Sequence, residues 1–275
     1  MRHSLALILL LSLTACGTSP SLTDGDSGGP SRPADEMYSE AMSEMTDRNY
    51  EKSAKLLESL LSRYPYGAYA QQAQMELAYA YYKHDEPESA LTAVDRFIKQ
   101  YPTSPHLDYM YYLKGLINFN ADLSIFSSWV KRDLADHDPG SVQDAFDAFK
   151  ELLTRFPDSI YSPDARVRMQ FLANTLARHE LNVGRYYLRR GAYVAAANRA
   201  KTVLSDFPQT PQTIDALQIM VQAYDALGLT KLRDDAQRVL DLNTKGGTQP
   251  AGAQLTGARL SGTPPASAPV QTVTQ

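Results

Sequence analysis

Few residues in this chain have the means for covalent or metal chemistry. The single cysteine, Cys16, closes the stretch LTAC after an apolar run, so neither a disulfide framework nor a thiolate metal site can form. His179-Glu180 opens like the zinc-hydrolase pattern HExxH, but Val183 stands where the second histidine must fall. His137 has Asp133, Asp136 and Asp138 around it, donors that could hold a metal. A solvated loop ahead of a helix capped by Ser141 accounts for them more simply. His84 and His106 read as surface residues at helix ends. The chain has no GxGxxG, GxxxxGK[ST] or GxSxG motif, and no convergent acid/base or nucleophilic set points to an enzyme or to a cofactor.

The cysteine is best explained by what precedes it. Arg2 and His3 lead into LALILLLSL, an apolar run too short to span a bilayer but suited to the core of a signal peptide. Leu-x-Ala-Cys resembles the bacterial lipobox, so residues 1–15 are predicted to be a signal peptide and Cys16 the lipidated first residue of the mature chain. Acyl chains contribute about 0.8 kcal/mol per buried CH₂, enough in combination to hold a protein on a membrane. Gly17 in place of Asp favours the outer membrane, on its periplasmic face. The only group attached to the protein is then the covalent lipid.

Residues 16–34 continue as a Gly/Ser/Pro-rich tether, and residues 244–275 are a second low-complexity segment; both are too poor in apolar side chains to repay the entropy of folding. The net charge is −4 and gives no basic field, which argues against nucleic acid as a partner.

Between these segments, residues 35–243 carry a repeating signal. An aromatic residue precedes proline at Tyr64-Pro65, Tyr101-Pro102, Phe156-Pro157 and Phe207-Pro208, and twelve residues before each proline stands a small residue: Ser53, Ala90, Ala145 or Ala196. Leu77, Ala78 and Tyr81 share one face of a helix, and Ala90, Val94, Phe97 and Tyr101 recur at helical spacing on the next. Small residues let two helices approach, large ones fill the groove, and proline stops the chain. Ser104-Pro105, Ser162-Pro163 and Thr210-Pro211 read as hydroxyl caps before proline at the first helical position.

This pattern resembles the tetratricopeptide repeat. The expected fold is all-α, a right-handed solenoid of about five helix pairs. An insertion falls in the third pair, over Ala121–Gly140 with the only tryptophan, and the fourth begins with an extended helix, since Pro163 to Gly191 contains no breaker but Gly184.

Tyrosines crowd the first helices: Tyr79, Tyr81 and Tyr82, then Tyr109, Tyr111 and Tyr112, then Tyr186 and Tyr187. A helix cannot bury three faces at once, so some of these rings should line an accessible surface suited to extended peptides. Arg185, Arg189, Arg190, Arg199 and Lys201 cluster near the last two, a patch able to grip carboxylates.

The lipobox, RYPYGAYAQQAQ (Arg63–Gln74), AYAYYK (Ala78–Lys83), the acid-rich insertion ending DHDP and RRGAYVAAANR (Arg189–Arg199) together resemble the BamD family. These are tetratricopeptide lipoproteins of the outer-membrane β-barrel assembly machinery, and the resemblance spans roughly Asp35 to Asn243. It implies a non-catalytic scaffold whose C-terminal repeats hold a POTRA domain of the barrel subunit BamA. Arg199 matches the family's salt-bridging arginine, with Arg189 and Arg190 beside it. The N-terminal repeats would bind targeting segments of unfolded outer-membrane proteins, with Tyr64, Tyr66, Tyr69 and Tyr81 as client-binding candidates. Accessory assembly lipoproteins would dock alongside. The alternative is a pilotin-like or cell-wall-associated repeat lipoprotein with a different periplasmic partner.

Overall fold

A computed structural model of the chain describes residues 32–128 and 139–245. Among these residues there are ten α-helices and no strand: α1 (Ala34–Thr46), α2 (Tyr50–Arg63), α3 (Ala70–Lys83), α4 (Pro87–Gln100), α5 (Leu107–Ser128), α6 (Gly140–Arg155), α7 (Ser162–Arg189), α8 (Tyr193–Asp206), α9 (Thr213–Ala226) and α10 (Thr230–Lys245). Each odd-numbered helix pairs with the even-numbered one after it, and each pair packs on the next, giving the tetratricopeptide-like solenoid. First helices also touch first helices, α3 with α5 and α7 with α9.

The small residues act as expected. Ser53, Ala90, Ala145 and Ala196 are all 0% exposed. At the first of these positions, the Ser53 hydroxyl donates 2.9 Å to the Ala41 carbonyl across the α1/α2 contact. Large side chains fill the space beside them, with Leu57, Val94, Phe97, Phe149, Leu152 and Val203 fully buried. Burying such a side chain contributes about 1.5–3 kcal/mol.

The aromatic-proline pairs are four copies of one junction. Tyr64, Tyr101, Phe156 and Phe207 each end a helix with φ between −126° and −133°. Proline follows in a turn where its fixed φ fits and its missing N–H is not needed. The residue after next then donates back to the aromatic carbonyl: Gly67 to Tyr64 at 3.2 Å, Ser104 to Tyr101 at 3.0 Å, Ser159 to Phe156 at 3.1 Å and Thr210 to Phe207 at 3.2 Å. A second such turn leads directly into the next helix.

This register corrects the expected caps. Ser104 and Thr210 stand three residues ahead of the helices that begin at Leu107 and Thr213, because Pro105 and Pro211 occupy the second turn and not the first helical position. Ser162 is itself the first residue of α7, behind the N-cap Tyr161. The hydroxyls staple the junction instead. Thr210 and Ser162 donate at 2.8 Å to the carbonyls of Phe207 and Phe156, and Ser104 accepts the Gln71 amide at 2.6 Å. Ser141 does not cap α6 either, since the N-cap is Pro139.

Within the first, second, fourth and fifth pairs the chain reverses through one left-handed residue, with φ of 63° at Arg48, 64° at Asp85, 74° at Gly191 and 69° at Gly228. Each reversal carries the long-range amide bond of a Schellman turn, for example Glu86 to Tyr81 at 2.9 Å and Ala192 to Tyr187 at 3.0 Å.

Two long helices mark the irregular repeats. The extended α7 runs 28 residues, and its buried Arg168 pairs with Asp164 at 2.5 Å over the Phe119 ring, while the Tyr112 hydroxyl donates to the same carboxylate at 2.7 Å. That network ties α7 to α5. The insertion expected over 121–140 is helical through Ser128, as the end of α5, and α6 resumes at Gly140. His137 and its aspartates, Cys16 and most of the tether and of the C-terminal segment lie outside the described residues.

Candidate functional site

At the N-terminal end, the four tyrosines singled out by their motif have different surroundings. Tyr64 closes α2, packs on the core of the first pair, and donates its hydroxyl to the Arg32 carbonyl at 3.0 Å. Tyr69 precedes α3 and stacks on Tyr38 with centroids 5.0 Å apart. Between them Tyr66 is 92% exposed. Tyr81 lies farther along α3, where its hydroxyl donates to Glu58 of α2. Burial first, and then that bond to a carboxylate, raise its pKa and keep it a neutral donor.

Tyr81 lines a cleft of about 610 Å³ between α2 and α4, floored by α3. Leu61, Leu77 and Ala93 give it apolar surface; Ser62, Ser89 and Thr92 supply hydroxyls; Glu58 lies on the α2 wall, and Glu88 and Arg96 on the α4 wall. A concave surface with an apolar floor and spaced polar groups can hold an extended segment by side-chain burial and main-chain hydrogen bonds.

The remaining tyrosines serve mostly as packing. Tyr112 stacks on Tyr161 at 4.8 Å, Tyr111 and Tyr112 are buried, and Tyr79 contacts Tyr82 at 6.4 Å. Only Tyr186 of that set is well exposed, with the Arg190 guanidinium 5.6 Å from its centroid. Sequence reasoning passed over Glu76, which is 6% exposed among these rings. Desolvation raises its pKa, opposed by the Gln72 amide that donates to it at 2.9 Å. Tyr38, pushed up to about 12 by burial and then by the Glu76 charge, shares this pocket of the fold. The signal was available: Glu76 interrupts the otherwise apolar MELAYA run.

At the other end, Arg199 is 44% exposed and donates to both carboxylate oxygens of Glu180 at 3.1 Å. The false HExxH therefore contributes its glutamate to an ion pair. Arg185 pairs with Asp215 at 2.6 Å, whereas Arg189 and Arg190 are exposed and have no carboxylate partner among the described residues. Beyond them the last helix turns Leu232, Val239 and Leu242 outward. No group of three or more metal-ligating side chains occurs among the described residues, and no described helix is long and apolar enough to cross a membrane.

With this geometry in place, the comparisons are specific. The model of the YfiO family, described as outer membrane lipoprotein, matches residues 30–239. The chain belongs to the YfiO family. It is 41% identical to the outer membrane protein assembly factor BamD of Neisseria meningitidis serogroup B, over 87% of this chain and 90% of that one. The BamD proteins of Xylella fastidiosa and Vibrio cholerae are 39% and 36% identical, covering 88% and 86% of this chain and 82% and 96% of theirs. The YfiO match includes the junction motif, the Tyr81 cleft and the arginine cluster, while Cys16 falls before it and residues 240–275 after it.

Proposed function

We propose that this chain is a non-catalytic lipoprotein subunit of the machinery that assembles β-barrel proteins in the outer membrane. Its relatives are named as assembly factors, and its own surfaces suit a two-ended scaffold. Lipid on Cys16 anchors it to the periplasmic face of the outer membrane, and no other cofactor takes part.

The N-terminal repeats bind targeting segments of unfolded outer-membrane proteins in the Tyr81 cleft, with the exposed Tyr66 as a further contact. Tyr64 and Tyr69 act there through the shape of the junction. The C-terminal repeats hold a POTRA domain of BamA through Arg199, Arg189 and Arg190, and accessory assembly lipoproteins dock alongside.

The observation that carries this reading is the outer face of α10, where Leu232, Val239 and Leu242 are 46%, 45% and 69% exposed. A solenoid that simply ends presents a polar face on its last helix. This one presents apolar area there, and exposed arginines without a carboxylate partner among the described residues stand at the end of α7, the composition of a protein interface.

Arg199→Glu tests the proposal. It faces Glu180 with a like charge, but the pair it breaks is exposed on the arginine side and is worth about 1 kcal/mol or less. Copurification with BamA from membranes should fall far more than the melting temperature does. Loss of both in proportion would make Arg199 a structural residue.

A further inference from the structure

The Tyr81 cleft has a counterpart one repeat further on. A second cleft, of about 340 Å³, opens between α4 and α6 over α5. The repeat register relates the two residue by residue: Glu58 corresponds to Asp95, Leu77 to Lys114, and Tyr81 to Asn118. On the far wall Ser89, Thr92 and Arg96 become Asp144, Asp147 and Glu151. The same architecture has exchanged hydroxyls and an arginine for three carboxylates.

Two consequences follow from that exchange. Replacing Tyr81 by Asn118 removes the hydroxyl that satisfies the opposite carboxylate in the first cleft. Asp95 is satisfied by Lys114 at 2.7 Å instead, and Asn118 is left lining the cleft. Asn118 is 6% exposed, and its amide makes no hydrogen bond among the described residues. An amide that lines the cleft and is held by no side chain among the described residues leaves both its donors and its acceptor open to a group that enters there.

The wall chemistry indicates what that group belongs to. Asp147 only accepts the Gln143 amide, Glu151 holds Arg155 loosely at 3.3 Å, and Asp144 has no ion-pair partner among the described residues. These carboxylates are strung along successive turns of α6 and do not converge on a metal position. Charges spaced along a helix suit cations spaced along a chain. Leu91, Tyr111 and Ala148 supply apolar surface for the methylene stems of such cations.

We propose that the α4/α6 cleft is a second binding site, for an extended partner segment bearing spaced lysine or arginine side chains. The Asn118 amide bonds the main chain of that segment, and Asp144, Asp147 and Glu151 hold its cations. The site is separate from the Tyr81 cleft and does not depend on the client reading given to that one.

The test is fluorescence anisotropy with the full chain and a short labelled peptide of alternating lysine and serine, against its glutamine counterpart, at low ionic strength. The lysine peptide should bind and the glutamine peptide should not. The exposed-site double variant Asp144→Asn/Asp147→Asn should weaken binding about tenfold. Asn118→Leu, which changes no charge, should weaken it about fivefold with a melting temperature no lower than wild type. Asp234→Asn/Asp235→Asn removes the same charge from α10 and should leave binding within about twofold. Equal loss from the α10 pair would reduce the attraction to the general field of an acidic chain, and unchanged binding in the cleft variants would remove the site; either result overturns the proposal.

Discussion

Glu76 shows how one side chain can work against the fold around it. Its carboxyl is buried among Tyr38, Tyr79 and Tyr109, whose hydroxyls all feel its charge, and it has the Gln72 amide as hydrogen-bond donor. Burial disfavours the ionised form, so the folded pKa lies above the ordinary carboxylate value. A raised carboxyl pKa means the fold prefers the protonated group. That preference is fully felt below the unfolded value of about 4.3 and is lost as pH rises through the folded one. Glu76→Gln keeps an acceptor for Gln72 and removes the titration. Its melting temperature should exceed that of wild type at neutral pH, and the two should converge near pH 4. A gap of constant size across that range would show that packing, and not ionisation, separates the two proteins.

At the scale of helix pairs, two glycines occupy corresponding contact positions with opposite tolerances. A Cβ on Gly115 of α5 would lie 2.4 Å from the ring of Phe149, which is fully buried in α6 and has nowhere to move. On Gly184 of α7 the nearest atom would be the Arg199 Cβ at 3.5 Å, an ordinary contact. Gly115→Ala should therefore cost about 1–3 kcal/mol by overpacking, while Gly184→Ala should be neutral or gain up to about 1 kcal/mol from helix propensity. Urea midpoints at constant m would read both, and equal effects at the two sites would contradict the packing argument. The element scale is also where the sequence was most legible. Small residues at fixed distance from each aromatic-proline pair gave the pair contacts, because helical period and residue volume are local properties. Helix starts after Ser104 and Thr210 were misread, because Ser-Pro and Thr-Pro fit a cap and a turn equally well until the preceding junction sets the register. The destinations of the tyrosines depended on neighbouring repeats. Tyr81 and Asn118 hold equivalent positions, yet the unpartnered amide emerges only when Lys114 is seen to take Asp95 for itself.

The whole molecule is nearly one-dimensional: helices pack on their sequence neighbours, and the cores form three successive clusters, from α1–α3, through α3–α5, to α5–α9. In such an array a change at one end is felt through adjacent interfaces and fades beyond them. The two proposed ends should consequently be separable by mutation. α10 packs on α9 through its inner face, where Ala236 is buried, and its outer apolar face has no described neighbour. Substitution there removes little buried area from the fold, and exposed positions of this kind change stability by about 0.5 kcal/mol or less. Leu232→Asp/Leu242→Asp should thus leave the melting temperature within a few degrees of wild type and leave peptide binding at both clefts unchanged. Capture of BamA should be lost to the degree that this face is the docking surface. The contrast with Tyr81→Ala is the informative part, since that variant should reduce client-segment binding while BamA still copurifies. If instead either variant abolished both interactions, the ends would be coupled, and the nearest-neighbour description of the solenoid would have to give way to a long-range conformational change.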